Sequence, residues 1–126
     1  MAGVVVSSSS FLESCAKSTT SPEGPTVDFT LDISISPNTV LNTVGGFLYS
    51  HGVVVIRSTD TVFTALSQAC THQGCTVAYS SGSQMLLCPC HGGAYNLAGG
   101  VVSGPPPAPL KSYTVTKAGN ILSVKG

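Results

Sequence analysis

The chain has 126 residues, of which only 8 % are charged, and its five basic and five acidic side chains leave a formal net charge of zero. That length fits one domain, and the absence of any basic run or patch argues against nucleic acid as a partner. The longest apolar run, around Gly52-Val53-Val54-Val55-Ile56, is of strand length, far short of the roughly 20 residues a membrane span needs.

Residues 1–25 are rich in Ser, Thr, Pro and Gly and are expected to be a disordered tether. Their start, Ala2-Gly3-Val4-Val5-Val6 followed by Ser7 to Ser10, resembles the tail of an export signal without its charged beginning. Leu12-Glu13-Ser14-Cys15 then resembles a degenerate lipobox, in which Cys15 would carry a lipid and hold the protein to a membrane; the alternative is a plain thiol in a tail. From residue 26 the pattern changes. Val27, Phe29, Leu31, Ile33 and Ile35 alternate with polar residues, which predicts a half-buried strand, and Pro37-Asn38 predicts a turn. Further strands are expected at 39–44, 46–50, 52–58 and 61–67, then at 76–79 and 84–88 around a Ser80-Ser81-Gly82-Ser83 loop. A final hairpin spans 112–117 and 120–125, turning at Ala118-Gly119. No segment holds a helical period, so the chain reads as all-β. His51 is expected to be an ordinary surface or hydrogen-bonded residue, and Arg57 and Asp60 a surface pair of little energetic weight. With so few carboxylates and no Ser/His/Asp grouping, acid–base catalysis has almost no candidates.

Two stretches carry the chemistry. Cys70-Thr71-His72-Gln73-Gly74-Cys75 and Cys88-Pro89-Cys90-His91-Gly92-Gly93 hold four of the five cysteines and two of the three histidines. Cys70 and His72 are two apart and Cys88 and His91 three apart, spacings at which one tight loop can aim both side chains at one metal centre. Gly74, Gly92 and Gly93 allow the sharp turns such loops need. Two thiolates and two imidazoles suit either zinc or an iron–sulfur cluster. A Cys₂His₂ zinc site is the plainer alternative, but it leaves Cys75 and Cys90 unused. Spacing alone leaves the pairing of four cysteines open among three connectivities.

The two stretches resemble the boxes of the Rieske family, C-T-H-x-G-C and C-P-C-H-G, in order and with fifteen residues between His72 and Cys88. The resemblance implies a [2Fe–2S] cluster with Cys70 and Cys88 on one iron and His72 and His91 on the other, and a Cys75–Cys90 disulfide joining the loops. It implies an antiparallel β-sandwich, here expected over 26–126, with a small inserted cluster-binding subdomain at about 69–104. A Pro-rich loop at 104–110, centred on Pro106, would pack over the cluster. Charge counting gives the physical consequence: two ferric ions, two sulfides and two thiolates sum to zero, so an added electron meets less repulsion than on an all-thiolate cluster. The outer imidazole nitrogens can release protons more readily when the cluster is oxidised, so electron transfer is expected to be proton-coupled.

The implied disulfide points to the higher-potential, extracytoplasmic members of the family, consistent with an oxidising compartment such as the periplasm. Two departures temper that. Gly93 stands where the highest-potential members have a Ser that donates to the cluster, although the family's tyrosine donor is kept as Tyr95; an intermediate potential is expected. Gln73 stands where quinol-oxidising members commonly have Leu. The reading is a one-electron carrier whose partner is a cytochrome or a membrane oxidoreductase complex. The alternatives are an electron-transfer subunit of a quinol-oxidising or arsenite oxidase-type complex, and a zinc-stabilised module without redox function. Oligomeric state is left open by the sequence.

Overall fold

Alternating apolar and polar residues build the first strand, over a shorter span than the pattern predicts. The computed structural model describes residues 24–70, 74–90, 92–104 and 108–126, and β1 runs over Asp28–Asp32. Phe29 and Leu31 are buried, Ile33 is buried just beyond the strand, and Ile35, expected to continue it, is exposed. The chain turns because the Asp32 carboxylate accepts hydrogen bonds from the Ser34 amide at 2.9 Å and the Ser34 hydroxyl at 2.6 Å, local bonds that compete with a sheet ladder. The next segment corrects the strand expected at 39–44: Asn38–Asn42 is a 3₁₀ helix. Asn38 Nδ2 donates to Asp32 O at 3.1 Å and Asn42 Nδ2 to Ile33 O at 2.8 Å. These side chains fold the segment back on the end of β1, burying Leu41 and leaving Val40 and Val44 exposed.

The remaining strands are β2 (Phe47–Ser50), β3 (Val53–Arg57), β4 (Phe63–Ser67), β5 (Ala78–Ser80), β6 (Met85–Cys88), β7 (Gly93–Tyr95), β8 (Val101–Ser103), β9 (Ser112–Ala118) and β10 (Ile121–Lys125). All pairings are antiparallel, in a six-stranded sheet ordered β1-β10-β9-β4-β3-β2 and a four-stranded sheet ordered β5-β6-β7-β8. The all-β expectation holds, and β7 and β8 are additions to it.

The larger sheet is rolled upon itself. In a flat sheet β1 and β3 would lie about 19 Å apart, four strand spacings. Yet Phe29 and Leu31 of β1 share one apolar cluster with Val53 and Val55 of β3, Ala65 of β4 and Leu122 and Val124 of β10. The ring of Phe29 stacks on that of His51, in the β2–β3 turn, at 4.1 Å. His51 is also hydrogen-bonded through Nδ1 to the Ser50 hydroxyl at 2.7 Å, the ordinary role expected of it. Arg57 differs from expectation. Its guanidinium donates to the main-chain carbonyls of Leu41, Thr59 and Asp60 and lies 4.8 Å from the Phe63 ring centre. Asp60 is thus engaged through its backbone rather than its carboxylate.

Strand β3 explains how the two sheets share one body. Val53, Val54, Val55 and Ile56 are all fully buried. Side chains alternate across a strand; Val53 and Val55 enter the core just described, while Val54 and Ile56 enter a second core with Leu66, Val77, Tyr79, Leu86, Tyr95 and Leu110. The continuous apolar run is therefore a strand buried on both faces. One face seals the rolled sheet and the other supports the four-stranded sheet and its loops.

Candidate metal centre

Each of the two Cys/His boxes leaves a strand and returns through a backbone bond of the same form. In the first, Gly74 N–H donates to Cys70 O at 2.8 Å, and Cys70 N–H donates to Cys75 O at 2.7 Å. In the second, Gly92 N–H donates to Cys88 O at 3.0 Å, and β7 begins at Gly93, paired with Cys88. Gly74 has φ of 75° and Gly92 of 72°, a left-handed conformation only glycine adopts without strain. A Cβ at either would meet nothing within 4 Å, so backbone conformation, not space, demands glycine there.

The loops bring together most of the described residues expected in the site. Cys70 and Cys88 are each 2 % exposed and belong to the same apolar cluster. Tyr95 is wholly buried beside them, its hydroxyl 3.3 Å from Cys70 Sγ. Cys75 and Cys90 form a disulfide with Cα atoms 6.4 Å apart, so the expected brace between the loops is present. Gly93 is buried at the start of β7. His72, Gln73, His91 and Pro106 lie outside the described residues, as does the tail with Cys15.

Some contacts that position the site carried little signal in the sequence. At the far end of the Pro-rich stretch, Leu110 is buried in the cluster-side core, and its N–H donates to Gly99 O at 2.8 Å. A Cβ on Gly99 would come within 2.5 Å of Leu110 O; the Gly-Gly pair after Asn96-Leu97-Ala98 signals the turn but not the Leu110 backbone that packs against it. The hydroxyl of Tyr49, on β2, donates to Val77 O at 2.7 Å and ties the large sheet to the chain entering β5. Burial raises the Tyr49 pKa above its ordinary value of 10.0. Phe47 continues the contact, meeting Tyr79 edge-on at 5.8 Å.

A [2Fe–2S] cluster with mixed ligands needs two soft thiolates close together, shielded from water, and donors toward sulfur. Two buried cysteines in one apolar cluster, a buried phenol at one of them and a cross-link between their loops fit that requirement. The Rieske [2Fe-2S] domain family model matches residues 33–114. The chain belongs to the Rieske family. With that membership come its cofactor, the [2Fe–2S] cluster, and one-electron transfer. The chain is 36 % identical over 78 residues to a cytochrome b6-f complex iron-sulfur subunit of Chlorobaculum thiosulfatiphilum, covering 62 % of this chain and 43 % of that protein. It thus spans less than half the length of that curated relative. Among solved structures it is similar to the plasma membrane Rieske protein PetC3 of Synechocystis, with TM-score 0.54 and 32 % identity over 59 % of this chain and 76 % of that one. It is also similar to the ferredoxin of carbazole 1,9a-dioxygenase from Nocardioides aromaticivorans, with TM-score 0.56 and 25 % identity over 82 % and 97 %.

Proposed function

We propose that Cys70 and Cys88 bind one iron of the Rieske cluster and His72 and His91 the other, and that the protein serves as the extracytoplasmic electron-transfer subunit of a quinol-oxidising membrane complex. The observation that carries the ligand reading is the pair of buried thiols beside the Tyr95 hydroxyl, in loops joined by Cys75–Cys90. The similarity to cytochrome b6-f iron-sulfur subunits supports the assignment to a complex, and the disulfide supports an oxidising compartment such as the periplasm. Lipidation of Cys15 would add a membrane tether.

The cluster supplies a one-electron couple, in this family within roughly −150 to +300 mV. The chain's residues tune it. A thiolate ligand has no proton, so at the Cys70 sulfur the Tyr95 hydroxyl is the donor. That bond favours the reduced, more negative state and raises the potential. Gly93 has no side chain to add a second donor, which favours an intermediate value. His72 and His91 would take up a proton with the electron at alkaline pH.

The test is electron paramagnetic resonance of the reduced holoprotein with a potentiometric titration across pH. A rhombic signal of low average g and a midpoint that falls above neutrality are expected. A colourless, zinc-loaded protein without acid-labile sulfide would overturn the reading. Tyr95→Phe should lower the midpoint by about 40 mV, the equivalent of one hydrogen bond of about 1 kcal/mol in a one-electron couple; an unchanged midpoint removes Tyr95 from that role. Quinol-dependent reduction in native membranes tests the assignment to a complex, and reduction indifferent to quinol would refute it.

A further inference from the structure

Asn96 directly follows Tyr95 and closes the turn from β7 to β8 with its backbone and its side chain together. Its N–H donates to Gly100 O at 2.8 Å, and its carbonyl accepts from Gly99 N–H at 2.9 Å. Its Oδ1 accepts two further main-chain donors, Ala98 N–H and Gly100 N–H, each at 2.9 Å. A short acceptor beside its own backbone is what such a turn requires. The turn bears on the strands that it joins. Tyr95 pairs with Leu86 of β6 on one side and with Val101 of β8 on the other, and the β7–β8 register shifts between Ala94 and Tyr95. An irregularity of this kind re-aims the side chain beside it. That side chain is Tyr95, wholly buried, with its hydroxyl 3.3 Å from Cys70 Sγ. The turn is also seated on the cluster-side core: Leu97 packs against that core, and Gly99 O accepts the N–H of buried Leu110.

We infer that Asn96 is a positioning residue for electron transfer: its side chain sets the β7–β8 turn and, through it, the aim of the Tyr95 hydroxyl at the Cys70 sulfur. The inference rests on the reading of Tyr95 as the donor to that sulfur. The hydroxyl stands at the far end of the ring, so a small rotation of the Tyr95 backbone is magnified there, and a hydrogen bond weakens steeply as its line bends. Removing Oδ1 releases the Ala98 and Gly100 amides to water and loosens the pairing of Tyr95 with Val101. Both bonds of Oδ1 lie within the turn itself, so the effect of Asn96 on the redox couple is exerted through Tyr95.

The experiment is a double-mutant cycle on the holoprotein, read as reduction potential, with Asn96→Ala and Tyr95→Phe made singly and together. Asn96→Ala should lower the potential in the same direction as Tyr95→Phe and by less. In the Asn96→Ala background, Tyr95→Phe should shift the potential by less than half of its shift in the unaltered protein. Asn96→Asp keeps the acceptor and should restore at least half of the loss, measured in about 1 M salt, where a Debye length of about 3 Å screens the added charge. A turn that serves the fold alone would lower resistance to denaturant in Asn96→Ala and leave the potential where it was. That result overturns the inference, as does a fall in potential that adds in full to the fall from Tyr95→Phe. An unchanged potential in Tyr95→Phe alone would instead remove the donor reading, and the inference with it. If Asn96→Ala loses its cluster, Asn96→Ser takes its place in the cycle, because a hydroxyl makes the same turn more weakly, and the same results decide.

Discussion

The two cores of this molecule are made of different materials. The core inside the rolled sheet is aliphatic and aromatic, drawn from β1, β3, β4, β9 and β10, which pair over four or five residues at most junctions. The core beneath the loops includes Cys70, Cys88, Tyr79 and Tyr95, and its sheet rests on pairings of two or three residues. Short ladders contribute few hydrogen bonds, so the second core depends more on covalent and metal ties than the first. The two halves divide the labour: one folds on hydrophobic patterning, and the other is assembled on its wall, the outer face of β3 and β4.

The largest effect that tests this division is loss of a ligand. Cys88→Ser should abolish the cluster, read as loss of its visible absorption, and should leave a buried polar group in an apolar cluster. Amide exchange is expected to quicken across β5 to β8 while β1, β9 and β10 keep their protection. Uniform loss of protection would show that the halves fold as one unit. Next in size is the Cys75–Cys90 brace, with a sequence separation of 15. Replacing both cysteines by Ala should lower stability by about 3 kcal/mol, the usual contribution of a cross-link closing a loop of about 15 residues, and should hasten release of the cluster, measured as bleaching in the presence of a chelator. Lower stability with unchanged bleaching would mean that the brace serves the fold and not the site.

The same division governs what could be read in the sequence. Strands β2, β3, β4, β6, β9 and β10 were legible within a residue or two, because a run such as Val53 to Ile56 buries enough to impose its own pattern and a run such as Phe47-Leu48-Tyr49 is rich in side chains that favour strands. The two boxes were legible because few chemistries require Cys and His at those spacings. The disulfide partners became legible only through the family resemblance. Strands β7 and β8 were hidden, since three residues such as Gly93-Ala94-Tyr95 are too few to show alternation and gain their conformation from pairing with β6. The 3₁₀ helix at Asn38–Asn42 was hidden for another reason: β-branched residues there mimic a strand, while the deciding bonds are those of Asn38 and Asn42 to the carbonyls of Asp32 and Ile33.

A sharper comparison uses two adjacent residues of one strand. Val54 and Val55 are both fully buried, Val54 in the cluster-side core and Val55 in the rolled-sheet core. Each truncation to Ala removes similar apolar area and should cost about 2 kcal/mol in global unfolding. Only Val54→Ala should also speed cluster loss, since only that cavity opens beneath the loops. Equal bleaching rates for the two variants would show that β3 transmits packing defects through its backbone and does not separate the cores.

The smallest effect concerns the tie between the halves. Although 42 % of Tyr49 is exposed, its hydroxyl end is turned onto Val77 O at 2.7 Å. Tyr49→Phe deletes that bond and should cost about 1 kcal/mol, the middle of the usual range, because Tyr49 is partly exposed but Val77 is wholly buried and its carbonyl loses that donor. Its pH dependence has a definite sign. Burial holds the folded-state pKa of Tyr49 above the ordinary 10.0, so the folded protein keeps its proton at pH values where the unfolded chain begins to lose it. The contribution is complete below the unfolded-state pKa and disappears as pH rises through the folded-state value, where a phenolate can no longer donate to a carbonyl and is repelled by it. The unaltered protein and Tyr49→Phe should therefore differ in stability at neutral pH and converge in strong alkali. A difference that stays constant across that range would mean that Tyr49 acts by packing against Phe47 rather than by its bond to Val77.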